Sequence, residues 1–163
     1  MRDPIFAHPR LAPVYDAFDG DRDDLTAYLS IAGELGAERV LDVGCGTGCL
    51  AILLAESGRT VMGVDPARAS LDVAKAKDAS ARITWVHGDA MTLPPFDADL
   101  AVMTGNVAQL FLADDDWARA VRGIHAALRP RGYLVFETRR VLDVREAPDR
   151  PGREFVFIAE RTT

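Results

Sequence analysis

Residues 40–48 read Val40-Leu41-Asp42-Val43-Gly44-Cys45-Gly46-Thr47-Gly48, an apolar run that breaks into alternating glycines. Val40, Leu41 and Val43 predict a buried strand. The glycines permit turn geometries and close backbone approach that other residues resist. A helical run from Leu50 to Ala55 follows, so the glycines stand where a strand hands over to a helix. In a parallel sheet that junction is where ligands bind. A dinucleotide fingerprint, G-x-G-x-x-G, counted from Gly44 puts Cys49 where the third glycine belongs, and no Gly-Lys-Ser/Thr of a phosphate loop is present. Asp42, two residues before the first glycine, would repel a phosphate and favour an ammonium group.

On either side of this stretch the chain alternates. Leu25, Tyr28, Leu29, Ala32 and Leu35 fall on one helix face, with Asp23 and Asp24 favouring its N-terminus and Gly36 ending it. Thr60 to Val64 reads as a second strand, with Asp65-Pro66 capping and opening a helix to about Lys77. Ile83 to Val86 is a third strand and Leu100 to Met103 a fourth. Asp114, Asp115 and Asp116 open another helix, through Trp117, Ala120, Val121, Ile124 and Leu128, which Pro130 and Gly132 stop. The triple aspartate complements that helix's dipole, so a metal is not required to explain it. Tyr133 to Phe136 is a fifth, wholly apolar strand.

Strands apolar on both faces and separated by helices predict an α/β fold. Right-handed crossovers make it a doubly wound, mostly parallel sheet with helices on both faces. Residues Arg139 to Gly152 are charged and carry Pro148 and Pro151, leaving little room for another crossover helix. Phe155 to Ile158 then predicts a last strand, antiparallel to the fifth, with cover on both faces.

Composition narrows the function. The 163 residues are 48% hydrophobic and 27% charged, with a net charge of −6, ordinary values for one globular domain. Negative charge disfavours nucleic-acid and membrane-surface partners. No apolar run approaches a membrane span, and the first residues, MRDPIFAHPR, lack the apolar core of a signal peptide. Cys45 and Cys49 are too close and too glycine-bound for a disulfide framework. No His or further Cys lies nearby in sequence to complete a zinc set, so small buried thiols are expected. These features predict a cytoplasmic protein without a metal. Asp65 ends the second strand, where a carboxylate can accept hydrogen bonds from both hydroxyls of a ribose. Capping the following helix is an equally good reading, and both can hold at once.

VLDVGCGTG over Val40 to Gly48 resembles the first motif of the class I S-adenosylmethionine-dependent methyltransferases. Val64-Asp65, Gly88-Asp89-Ala90 and the segment Ala127 to Gly132 follow in the family's order. The resemblance covers roughly Leu25 to Thr138 and implies a Rossmann-like methyltransferase fold, with residues 1–163 as one domain and 1–20 as a leader or lid. It implies that Gly44, Cys45 and Gly46 lie along the methionine part of S-adenosyl-L-methionine, with Asp42 near its amino group. Asp65 would hold the ribose with Pro66 beside it, Asp89 the adenine amine, and Ala90 N–H a ring nitrogen. Thr104, Gly105 and Asn106 would line the cleft below the sulfonium, while Tyr15 and Arg22 close over the cofactor.

The family usually continues past strand five with a helix and two strands, so the chain is expected to be shortened at its C-terminus. The Asn/Asp-Pro-Pro-Tyr/Phe signature of base and glutamine methylation is absent after strand four, where Gly105-Asn106-Val107-Ala108-Gln109 stands. The expected activity is methyl transfer to a small molecule, with no catalytic residue assigned. The site is expected to be open, or completed by a protein partner or homo-oligomer. The alternative is a catalytically silent cofactor-binding module or a partner-dependent subunit. His8 is the one histidine in the leader that could face a substrate.

Overall fold

The computed structural model describes residues 7–19, 22, 24–79, 82–139 and 154–162. Among them the leader forms helix α1 (Ala12–Asp19), followed by α2 (Asp24–Glu34) and β1 (Arg39–Val43). Beyond the glycines come α3 (Cys49–Glu56), β2 (Thr60–Asp65), α4 (Arg68–Lys77), β3 (Ile83–His87) and β4 (Ala98–Met103). A 3₁₀ turn (Val107–Leu110) leads to α5 (Asp114–Ala127), β5 (Leu128–Arg139) and β6 (Glu154–Glu160).

The strands form one sheet in the order β3-β2-β1-β4-β5-β6. All neighbours run parallel except β5 and β6, which are antiparallel with Phe136 opposite Phe157. The order reverses between β1 and β4, and a ligand crevice opens at that reversal, beyond the strands' carboxyl ends.

Two apolar layers explain why β1 and β4 can be buried on both faces. Leu41, Val43, Met62, Ala101, Met103 and Leu134 face α5 through Ala120 and Ile124. Val40, Val61, Leu100, Val102 and Val135 face Leu25 and Tyr28 of α2 and Leu50 and Leu54 of α3. Each buried leucine contributes about 1.5–3 kcal/mol. At the opposite edge from the crevice, Asp99 Oδ2 accepts the N–H groups of Glu38 (2.7 Å) and Arg39 (2.8 Å), and Oδ1 pairs with Arg129 Nε at 2.7 Å. No helix among the described residues is long and apolar enough to cross a membrane.

The doubly wound fold agrees with the sequence reading; several details differ. Helix α5 stops at Ala127, before Pro130, and β5 begins at once rather than at Tyr133. The stop is made from outside the helix: Arg161 Nη1 donates to the carbonyls of His125 (2.8 Å) and Leu128. Helix α4 starts at Arg68 rather than at Pro66, because Asp65 Oδ1 accepts Ala67 N–H (2.7 Å) and turns the chain first. The last strand is antiparallel as expected, but three of its apolar side chains are only partly covered: Val156, Phe157 and Ile158 are 48%, 47% and 54% exposed. It is the end strand of the sheet among the described residues. Most of the charged segment 139–152 lies outside the described residues.

Candidate cofactor and acceptor site

The glycine junction folds back on the end of β2: the N–H groups of Gly44 and Cys45 both donate to Val64 O, at 2.8 and 3.1 Å. Gly44 has a φ of +76°, and a Cβ there would lie 2.5 Å from a Val107 methyl, so only glycine fits. That contact joins the loop after β1 to the loop after β4. Gly46, at φ +54°, faces open space instead, with nothing within 4 Å of where its Cβ would stand. The space beside Gly105, also left-handed at φ +64°, is equally open. The two loops are therefore the lips of a crevice whose bare backbone a ligand can approach.

Two buried carboxylates lie beneath these lips. Asp65 Oδ2 accepts Gly46 N–H at 2.8 Å while Oδ1 holds Ala67, so Asp65 shapes the glycine loop and the start of α4 together. Each oxygen retains a lone pair for a hydroxyl donor. Asp42 is raised to about 7 by burial first and by the Asp65 charge second, against the Ala51 N–H and the Arg22 charge, which favour its ionised form. Cys45 and Cys49 are free cysteines of intermediate exposure as whole residues, and the Cys45 thiol itself is buried, as expected. Burial, with Asp42 and Asp65 adding to it, pushes the Cys45 thiol well above its ordinary range. It is therefore a neutral thiol at pH 7, not a nucleophile.

Other expected residues follow the carboxyl ends of β3 and β4. Gly88 N–H donates to Asp65 O (3.1 Å) and His87 Nε2 lies 3.1 Å from Pro66 O, which joins the ends of β2 and β3. Asp89 follows, its Oδ1 accepting Met91 N–H at 2.9 Å. Beside it an open groove of about 560 Å³ runs from Thr92 to Arg119 and Arg122. Ala90 is buried beneath. Thr104 and Asn106 leave β4 at the other lip. Arg22 holds Asp24 at 2.8 Å at the head of α2. His8 accepts Arg10 N–H at Nδ1 (3.1 Å), a bond within its own turn.

The donor set fits an adenosine bearing a charged amino acid. Two acids and bare backbone line the crevice, a poor match for phosphate. Comparison with known proteins agrees: a family described as a methyltransferase domain matches residues 40–132, more than half the chain. The chain is also similar over 82% of its length to a TehB-like S-adenosylmethionine-dependent methyltransferase from Corynebacterium glutamicum, at 30% identity and a TM-score of 0.69, covering 76% of that chain. The chain belongs to the class I S-adenosylmethionine-dependent methyltransferases. Among curated relatives, the chain is 37% identical to the cypemycin N-terminal methyltransferase of a Streptomyces species over 69% of its own length and 46% of the relative's. It is 32% identical to an uncharacterised methyltransferase of Oceanobacillus iheyensis over 66% of its length and 50% of the relative's. It thus spans about half the length of the curated relatives it matches.

Two clusters of the methyltransferase escaped the sequence reading. Asp16 on α1 accepts from Thr47 Oγ1 in the glycine loop, pairs with Lys77 Nζ of α4 at 2.5 Å and receives the Cys49 thiol at 3.6 Å. Burial would raise its pKa, but the bonds from Lys77 and Thr47 and the Lys77 charge outweigh it and hold it below the ordinary range. Tyr15, one of the leader residues singled out in the sequence, is the chain neighbour of this anchor. The second cluster centres on Glu137, buried on β5, which joins Tyr28 of α2 to the backbone of Gly105 and Asn106. A lone acid directly after the apolar run Tyr133 to Phe136 was the available signal; for Asp16 there was none.

Proposed function

We propose that this methyltransferase binds S-adenosylmethionine along the carboxyl ends of β3, β2, β1 and β4 and transfers the methyl group to a small-molecule acceptor. The observation that carries the reading is the pair of buried acids, Asp42 and Asp65, set under a glycine loop with open space at Gly46. Asp65 accepts the ribose hydroxyls, with Pro66 against the sugar. Asp89 takes the adenine amine and Ala90 N–H a ring nitrogen. Backbone of Gly44, Cys45 and Gly46 runs along the methionine part, whose amino group faces Asp42. Arg22 and Tyr15 close from the leader side, Arg22 toward the carboxylate.

When bound, the cofactor supplies an electrophilic methyl carbon on its sulfonium. The chain's work is to hold an incoming nucleophile in line beside Thr104, Gly105 and Asn106 and to keep water away. Such positioning lowers a barrier by up to ~7–11 kcal/mol in ideal cases, which is why no acid or base is assigned. The net charge of −6 favours small acceptors over polyanions. The acceptor cap is drawn from the leader and residues 106–113, and a protein partner or second copy completes it. The two free cysteines suit a cytoplasmic setting.

Calorimetric titration with S-adenosylhomocysteine tests the reading. The wild type is expected to bind at micromolar affinity. Asp65→Ala should lose about a hundredfold, from two charge-assisted bonds at ~1.5 kcal/mol or more each. A folded wild type that does not bind overturns the proposal.

A further inference from the structure

We infer that Glu137 is a positioning residue for methyl transfer, setting the place of the loop after β4 at the reacting end of the cofactor site. The inference rests on the reading proposed above. Glu137 is 3% exposed and sits on the α2 side of β5. One carboxylate oxygen accepts the N–H groups of Gly105 at 2.6 Å and Asn106 at 3.3 Å; the other accepts the Tyr28 hydroxyl.

The geometry of the loop explains why it needs a side-chain acceptor at this point. Gly105 and Asn106 are successive left-handed residues, at φ +64° and +66°. That conformation is uncommon for a side-chain-bearing residue. Here it aims two consecutive N–H groups at one point, and a carboxylate at that point is what holds them converged. Val107 comes next and presses its methyls against Gly44. A change at Glu137 is therefore passed through Gly105 and Asn106 to Val107 and so to the glycine loop, while Tyr28 fixes the carboxylate from α2. A buried polar side chain is a costly way to add stability alone; what this one supplies is a fixed loop geometry beside the crevice.

Glu137 is buried behind the loop with both carboxyl oxygens engaged by Gly105, Asn106 and Tyr28, so its effect is to be read from how the loop meets the methyl-bearing sulfur. S-adenosylmethionine and S-adenosylhomocysteine differ only in that methyl and its charge. The test is calorimetric titration of wild type, Glu137→Ala and Glu137→Gln with both ligands. The wild type is expected to bind both. Glu137→Ala should change the ratio of the two dissociation constants at least fivefold. Glu137→Gln should restore it to within twofold, because the amide oxygen accepts the same two N–H groups. The amide resonances of Gly105 and Asn106, shifted downfield by the carboxylate, should move upfield in Glu137→Ala and less in Glu137→Gln. Tyr28→Phe, which keeps the carboxylate but frees one of its oxygens, should move the ratio in the same direction by about twofold and serves should Glu137→Ala not fold.

An unchanged ratio in folded Glu137→Ala, or equal weakening of both ligands, overturns the inference and leaves Glu137 a structural member. Equal changes in the Ala and Gln variants overturn it in favour of the bare charge. A wild type that binds neither ligand removes the cofactor reading itself, and this inference with it.

Discussion

Gly123 of α5 presses against the carbonyl of Ala90: a Cβ at position 123 would lie 1.9 Å from that oxygen. The contact fixes the helix against the loop after β3, one residue from Asp89. Glycine inside a helix ordinarily costs about 1 kcal/mol relative to alanine, so Gly123→Ala would stabilise an unconstrained helix. Here the backbone must move instead, at roughly 1–3 kcal/mol. Thermal unfolding of Gly123→Ala is expected to show a lower Tm, and its S-adenosylhomocysteine affinity should fall as the Asp89–Ala90 segment shifts. A raised Tm would refute the close contact.

Asp42 makes stability and binding depend on pH in opposite senses. Its carboxyl ionises near 3.8 in the unfolded chain and near 7 in the folded protein. The folded state holds the proton more tightly, so this group's contribution to stability falls as pH rises from about 4 to 7 and is flat above. Asp42→Asn should remove that slope and unfold at a higher temperature than wild type at pH 8. Binding that requires ionised Asp42 should strengthen roughly tenfold between pH 6 and 8, with proton release below pH 7 seen by calorimetry in buffers of different ionisation enthalpy. A pH-independent affinity would separate Asp42 from the ligand.

Asp16 works in the ordinary direction for a carboxylate. Its lowered pKa means that the anchor of α1 is present at neutral pH and lost as pH falls below the normal carboxylate range. The Lys77 pair is about one-third exposed on each side, so its loss costs under ~1 kcal/mol of global stability. The local effect is larger: amide exchange in residues 12–17 should accelerate in Asp16→Ala while that of β1 and β4 does not.

Arg161 closes the far side of the sheet. Its guanidinium satisfies carbonyls at the C-terminus of α5, and its backbone pairs with Arg131 and Gly132 at 3.0 and 2.7 Å. Arg161→Ala removes the side-chain bonds only and should cost about 1–3 kcal/mol through unpaired carbonyls, read as a lower urea midpoint. The half-exposed apolar side chains of β6 should then bind a hydrophobic dye more strongly.

The strands, their order of appearance and the glycine junction were legible because they rest on local signals. Val40 to Gly48 announces a strand ending in close-approach glycines, and the acids at 42 and 65 sit at fixed distances from it. The start of α4 and the end of α5 were misplaced for one physical reason. Asp65 is not the cap expected: it holds the N–H of Ala67, the actual N-cap residue, in a turn before the helix, and Arg161 reaches the end of α5 from thirty-odd residues away in sequence. Neither bond leaves a mark on periodicity. The cover expected over Phe155 to Ile158 followed from apolar residues on both faces, but that pattern records what a strand can bury, not what lies over it.

By itself the sequence determined the alternation of strand and helix, the parallel core and the glycine junction, since hydrophobic period and backbone freedom are properties of neighbouring residues. Only the tertiary structure decided that Asp16 reaches Thr47 and Lys77, that Glu137 gathers Tyr28, Gly105 and Asn106, and that Val107 requires a glycine at 44. Those relations join groups far apart in the chain. Their existence depends on strand order and helix placement, which packing of the two apolar layers fixes and no local pattern encodes.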